Sequence, residues 1–465
     1  VYISSQNIFP LRDKINFEEE KMKRFWLMML SLGLMMTFSM SAYAVDVKVS
    51  GEYYAAGMYL NKINVADSKP NPNTAFFYQR LRVGTDFIVD PSLKLVTRFD
   101  ALERVWGGDR TLPGTDLAAD SAGTIAENQN IAIDWAYINY KSPIGTFDVG
   151  IMNDGSTGTI FGNGYKPLPR IKYAYNITPD FKLSLSYTKV KDQSNTAYVG
   201  AVPAFTDGDN DNYSITGEYK WKNAKAGLDA KYYRYADKRP TADNYLRNYW
   251  RFIPYAIAKI GPVNIQAELM YATGNYKKYD RPDANPAHID TKVESMAGWI
   301  DATATFAPVY VGATLAYVSG DDPDTKDKHE GTLNGGTDWN PCLIMFNYHD
   351  VAHWAGAVKG FNNSVVTGPM TNAWFYQGRV GVNPIPQLDT MLSVSYASAD
   401  KKPAGFTRSD YGFEVDLTGT YKITNNLSYM LGVGYLFTGD YFKGIDSSNE
   451  VNDDFIVMNK LTLNF

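Results

Sequence analysis

From residue 45 to residue 465 the chain alternates apolar and polar side chains in segments of about ten residues, a period of two that suits a β-strand and not a helix. In VDVKVSGEYYAAGMYL (45–60) the odd positions are Val, Val, Val, Gly, Tyr, Ala, Gly and Tyr, while the even ones begin Asp, Lys, Ser, Glu. FKLSLSYTK (181–189) sets Phe, Leu, Leu and Tyr against Lys, Ser, Ser and Thr. GFEVDLTGTYKI (412–423) opposes Phe413, Val415, Leu417 and Tyr421 to Glu414 and Asp416. The pattern predicts eighteen strands, near 45–60, 74–89, 93–105, 129–141, 145–154, 168–178, 181–190, 211–221, 225–236, 246–260, 263–274, 294–306, 309–319, 373–383, 389–399, 410–423, 426–438 and 453–465.

The links between these strands alternate short and long. The short ones include VDPS (89–92), SPI (142–144), TPD (178–180), GP (261–262), AP (307–308) and ITN (423–425), rich in the residues of tight turns. The long ones are polar and variable, and one runs from 320 to 372. Such alternation gives an up-and-down barrel two unlike rims, one of turns and one of loops. The expected fold class is therefore all-β, a closed antiparallel up-and-down transmembrane β-barrel of about 18 strands, with short periplasmic turns and long external loops. Its apolar face points into lipid and its polar face into a water-filled lumen, and closure leaves no strand edge unpaired in hydrocarbon. Composition agrees. Aromatics reach 14%, with 34 Tyr, more than the buried face of a soluble sandwich needs. The repeat of about 40 residues that a propeller would show is absent. The net charge of −5 comes with no basic stripe or tail, so nucleic acid is not an expected partner. The single cysteine, Cys342, can form no internal disulfide.

Residues 22–44, MKRFWLMMLSLGLMMTFSMSAYA, read as a signal peptide: a basic start at Lys23 and Arg24, an apolar stretch, and Ala42-Tyr43-Ala44 before a cleavage point at Val45. Residues 1–21 carry NFEEEK ahead of it and read as a non-native extension, with Met22 the true start. Residues 45–465 then form a single barrel domain.

The signal peptide, the alternating strands and the closing MNKLTLNF together resemble Gram-negative outer-membrane porins. In that group the terminal aromatic, here Phe465, is the signal read by the barrel-assembly machinery. IPYAIAKIGPVNIQAELMYATGNY (253–276), VGATLAYVSGDDPDT (311–325) and NYKSPIGTFDVGIM (139–152) are similar to the alginate-export family of eighteen-stranded channels. The resemblance implies passage of a solute across the bacterial outer membrane and contact with outer-membrane lipids. A homo-oligomer is left open, since no interface signal stands out.

The residues expected to line the pore and set selectivity are Arg80, Arg82, Arg98, Asp100 and Arg104 on strands two and three, facing Glu268 and Asp301 half a barrel away. Glu414 and Asp416 join them on the polar face of GFEVDLTGTYKI. A basic wall across from an acidic wall would orient solutes in a transverse field. The bland alternative is a solvated lumen whose charges pair locally. Loop 320–372 contains GGTDWNPCLIMFNYHDVAHWAGAVKGF, apolar for a solvated tip. It either folds into the pore or extends the wall, and Cys342 reads as a small buried apolar residue within it. HDVAH (349–353) imitates a zinc-protease motif with Asp350 in place of Glu, but lacks a third ligand. Asp207, Asp209 and Asp211 have calcium-loop spacing, yet Asn212 stands where the turn glycine belongs. No cofactor and no metal are expected. The function expected is that of a porin-like channel for small hydrophilic solutes, not an enzyme. The alternative is an exporter of an anionic polysaccharide, which calls for a continuous basic track. An outer-membrane hydrolase ranks lower, because no histidine falls on a predicted strand.

Overall fold

A computed structural model describes residues 45–68, 71–107, 121–122, 131–155, 158–193, 208–239, 244–280 and 288–465. The proposed signal peptide and extension, and Asp207, lie outside the described residues. Eighteen long strands form one closed sheet. They are β1 (Asp46–Leu60), β2 (Thr74–Asp90), β3 (Leu93–Trp106), β4 (Ile131–Ser142), β5 (Gly145–Asn153), β6 (Pro167–Asn176), β7 (Phe181–Lys191), β8 (Asn210–Trp221) and β9 (Ala224–Tyr235). There follow β10 (Tyr245–Ile260), β11 (Val263–Tyr279), β12 (Thr291–Phe306), β13 (Val309–Val318), β14 (Ala373–Ile385), β15 (Leu388–Ala399), β16 (Asp410–Lys422), β17 (Leu427–Thr438) and β18 (Asp454–Asn464). Each is antiparallel to its sequence neighbours, and β18 returns to β1 to close the ring.

Closure is staggered. The β1–β18 ladder runs from Glu52↔Asn464 to Leu60↔Ile456, and Phe465 exchanges both backbone hydrogen bonds with Gly51. The first strand is expected to start at Val45, and the end of the chain is seated six residues further on, at Gly51. The first residues of β1 pair with β2 alone, starting at Asp46↔Ile88. Strand tilt in a closed barrel requires such an overhang.

The alternation sorts inside from outside. Ile138, Val149, Ile171, Leu185, Ile215, Leu269, Ile300, Leu315, Val394, Leu417 and Val433 form the exposed outer band. Outward aromatics flank it on both rims: Tyr140, Tyr175, Tyr219, Trp221, Phe306, Tyr421, Tyr429 and Phe465 toward the turns, and Phe77, Trp250, Tyr271, Trp374, Tyr376, Phe413 and Phe437 toward the loops. Two such girdles suit the two interfaces of a bilayer.

The compact apolar core lies inside the barrel, built from loops. Segment 319–372, between β13 and β14, folds into the lumen. Its Trp339, Ile344, Met345, Phe346, Trp354 and Met370 pack on inward residues of the wall: Tyr78, Trp299, Phe375, Leu436 and Met458. Leu343 leans over Gly432 and Gly434 of β17, where a Cβ would meet it at 3.1 and 3.0 Å. One wide helical turn, Tyr348–Ala352, is capped by the Asn347 side chain, which accepts from Asp350 N and Val351 N at 3.0 and 3.3 Å. Segment 158–166, between β5 and β6, also turns inward and interlocks with it. Phe161 packs on Trp339 and Trp299, and Gly336 N donates to Phe161 O at 2.5 Å. Gly336 comes so close to the Asn163 backbone that any Cβ would overlap it.

Candidate functional site: the lumen and its two inward segments

The expected basic cluster is present, and it is locally neutralised. Arg82 makes a two-pronged bond to Asp100, Nε to Oδ1 at 2.7 Å and Nη2 to Oδ2 at 2.6 Å. Arg98 reaches Asp134 at 3.1 Å and stacks over Trp135 at 3.9 Å. Arg80 lies between Glu52 at 3.3 Å and Glu103 at 3.8 Å. Asp86 pairs with Lys94 at 2.6 Å. The three arginines, with Asp100, Asp134, Tyr165, His349 and His353, line a cavity of about 420 Å³ on the β1–β4 wall.

Arg104 is the exception. A bulge at Leu102, whose φ is +55°, shifts the β2–β3 register between Leu81↔Ala101 and Gln79↔Arg104. Arg104 thereby joins the outward face with Gln79 and Trp106, where it is 1% exposed, and Glu103 takes the inward place. Strict alternation has no term for an extra residue, so the expected lumen position was one residue out.

Of the acids on the other walls, three hold the inward segments. Glu414, fully buried, accepts from the backbone N–H groups of Ile344 and Met345, both at 2.7 Å. Asp416 lies beside it, 3% exposed, and takes the Leu343 backbone N–H. Glu268 accepts from Thr159 N and Thr159 Oγ1, both at 2.8 Å. Asp301 pairs with Arg379 at 2.8 Å and accepts from Thr314 at 2.6 Å. The opposed charged walls are thus replaced by local pairs and backbone clasps, the cheaper arrangement where water is scarce.

Sequence alternation left unmarked the groups that dock segment 158–166 and those that stay free. Asp154 pairs with Lys231 at 2.8 Å and Arg170 at 3.6 Å, with side chains 2% and 3% exposed for Asp154 and Lys231. Burial alone would raise the Asp154 carboxyl, but Lys231 and Arg170 outweigh it and hold it below its usual range. The only signal in the sequence is a glycine-rich run, GNGY (162–165), with an isolated Phe161 before it.

Four cations on the inward face of β6–β10 make no ion pair among the described residues. Arg247 lies over Tyr276 at 4.7 Å and Arg251 over Tyr233 at 5.4 Å. Lys172 and Lys182 line a smaller cavity of about 100 Å³ with Arg170, Ser184, Ser186 and Ser214. From the loop rim to the turn rim the order is Arg247, Arg251 beside Lys231, Arg170, Lys172, Lys182.

His349 and His353 of HDVAH go separate ways. His353 Nε2 meets Glu103 at 3.2 Å, while Asp350 accepts from Tyr78 at 3.0 Å and Lys460 at 3.3 Å. His349 faces lumen water yet has protein all around, and the lost hydration lowers its pKa below the ordinary imidazole range, Asp350 opposing and Lys460 and Arg80 adding. In the acidic loop, Asp209 and Asp211 both take Lys189 as partner.

No family model and no curated protein matches the chain. Solved structures do align. Pseudomonas aeruginosa OpdK with vanillate is 11% identical at a TM-score of 0.50, over 90% of this chain and 98% of that one. P. aeruginosa OccK9 (OpdG) is 12% identical at 0.50, over 90% and 99%. A BenF-like porin from Pseudomonas fluorescens is 11% identical at 0.49, over 90% and 99%. At such identity the likeness of the first two establishes the closed eighteen-stranded barrel and nothing finer.

Proposed function

We propose that the protein is a channel of a Gram-negative outer membrane that passes small hydrophilic solutes, with a preference for anions. The observation that carries the reading is the set of uncommitted cations, Lys172, Lys182, Arg247 and Arg251, on one wall of a barrel whose outside is apolar and doubly girdled with aromatics. Cations without partners attract counter-ions, and low-dielectric walls focus that field along the lumen. The paired groups Arg80, Arg82, Arg98, Asp100 and Asp301 shape the passage, and their removal alters selectivity less than their number suggests. The solved structures support the architecture this reading needs.

The test is conductance of the purified protein in planar bilayers, with selectivity from the reversal potential in a salt gradient. An absence of conductance sinks the channel reading. Lys172→Glu with Lys182→Glu is expected to move the reversal potential toward cations; no movement removes those lysines from the ion path. The resemblance to the alginate-export family suggests a second reading, export of an anionic polymer, and the cationic track is the feature in its favour. Two interlocked inward segments leave side spaces sized for small molecules, which favours the first.

A further inference from the structure

Where segment 319–372 meets β16, three potential metal ligands converge. Cys342 Sγ, a Glu414 carboxylate oxygen and an Asp416 carboxylate oxygen all lie within 4.8 Å of one another, and they form the one such cluster among the described residues. All three side chains are buried, at 3%, 0% and 3% exposure.

Their surroundings leave a charge unanswered. Neither Glu414 nor Asp416 has a salt-bridge partner among the described residues, whereas Asp100, Asp134 and Asp301 each face an arginine. Both oxygens of Glu414 accept a backbone N–H. Asp416 Oδ2 meets Ser393 Oγ at 3.5 Å, the Leu343 backbone N–H and the Glu414 carboxyl lie against the same carboxylate, and Asp416 Oδ1 is buried without a well-formed hydrogen bond. An orphaned carboxylate oxygen beside a second carboxylate is expensive in a dry site. Gly434 stands where a side chain would otherwise fill the space against Asp416 Oδ1. Burial, with the two acids beside it, pushes the Cys342 thiol up, so its thiolate forms only if a cation joins the site.

We propose that Cys342, Glu414 and Asp416 bind a thiophilic divalent cation of the Zn²⁺ class, which clips segment 319–372 to the barrel wall. A zinc ion about 2.3 Å from sulfur and about 2.0–2.2 Å from oxygen would draw the three atoms together by roughly an ångström. A thiolate and two carboxylates carry three negative charges, so one divalent ion answers most of the burden that the orphaned oxygen reveals. Sulfur in the set selects against Mg²⁺ and Ca²⁺, which take oxygen ligands. Binding displaces the thiol proton and therefore weakens as pH falls. The site also gives a physical reason for the sole cysteine to stand here, two residues before the Glu414 clasp.

The test needs no transport assay, so it is independent of the channel reading. The full barrel is refolded into detergent with Zn²⁺ or Cd²⁺ present, which gives the ion access before the segment closes. Folding is checked by heat-modifiable gel mobility. The expected result is one ion per chain after desalting, a Cd²⁺–thiolate charge-transfer absorption, and competition by Zn²⁺ but not by Mg²⁺. Cys342→Ser is expected to abolish the absorption and weaken Zn²⁺ by roughly tenfold or more, and Asp416→Asn to weaken it by a similar factor. A folded wild type that retains no ion overturns the proposal and leaves a proton shared by the two carboxyls as the answer to the charge. Equal Zn²⁺ affinity in folded Cys342→Ser overturns it as well.

Discussion

Arg104 and Glu103 show how much hangs on one residue. A single positive φ at Leu102 exchanges which of them faces the lumen, and Glu103 then becomes the partner of both Arg80 and His353. Asp154 is the residue with the largest predicted consequence. Asp154→Asn strands Lys231 as an unpaired charge at 3% exposure, a loss of about 3–5 kcal/mol. Urea titration of the refolded barrel is the measurement. The sign of the pH effect follows from the lowered carboxyl. The Asp154 contribution is complete above the unfolded carboxylate value, ~3.9, and disappears as pH falls through its lower folded value. Acid should therefore loosen wild type below about pH 4, with no matching step in Asp154→Asn. His349 gives a second pH dependence. It stays neutral down to below the usual imidazole value of ~6.5 because its surroundings disfavour the cation. Anion preference should rise only in the acid range below that, and a reversal potential indifferent to pH in His349→Asn is the control.

At the scale of the element, the two inward segments account for most of the buried acids. Glu268→Ala removes the acceptor for Thr159 N and Thr159 Oγ1, and each buried donor left open costs about 1–3 kcal/mol. The strand ladders around it are untouched. Larger and noisier single-channel conductance is expected from an otherwise folded barrel, and unchanged conductance would mean that segment 158–166 does not narrow the path. The strands themselves were legible from alternation, and seventeen of the eighteen begin within two residues of their expected start. The exception is β12, which begins at Thr291 rather than 294, and β11 runs on to Tyr279. These extensions stand above the membrane band, where the outward face no longer has to be apolar and the period fades from the sequence.

For the whole molecule, the ring closes where Phe465 meets Gly51. Phe465→Ser should lower the yield of folded barrel in a membrane more than its stability once folded. The backbone pairing survives that change, whereas the ring at the interface is lost. Pulse-chase assembly set against urea titration separates the two. The staggered closure leaves the first residues of β1 attached through β2 alone, so trimming residues 45–50 should cost little beyond that one ladder.

The sequence by itself determined the strand count, the turn rim and loop rim, and which face of each strand meets lipid. Those properties follow from local periodicity: every second side chain must match its solvent, and every short link must turn the chain. It also marked loop 320–372 as too apolar to be a solvated tip. The tertiary structure decided that the segment lies inside the barrel, that Glu268 and Glu414 hold backbone rather than water, and that Lys172, Lys182, Arg247 and Arg251 make no ion pair among the described residues. A charge reads the same in sequence whether it is paired or not. Its partner arrives from far along the chain, 110 residues away for Lys460 and Asp350 and 250 for Glu103 and His353, and only the folded ring brings them together.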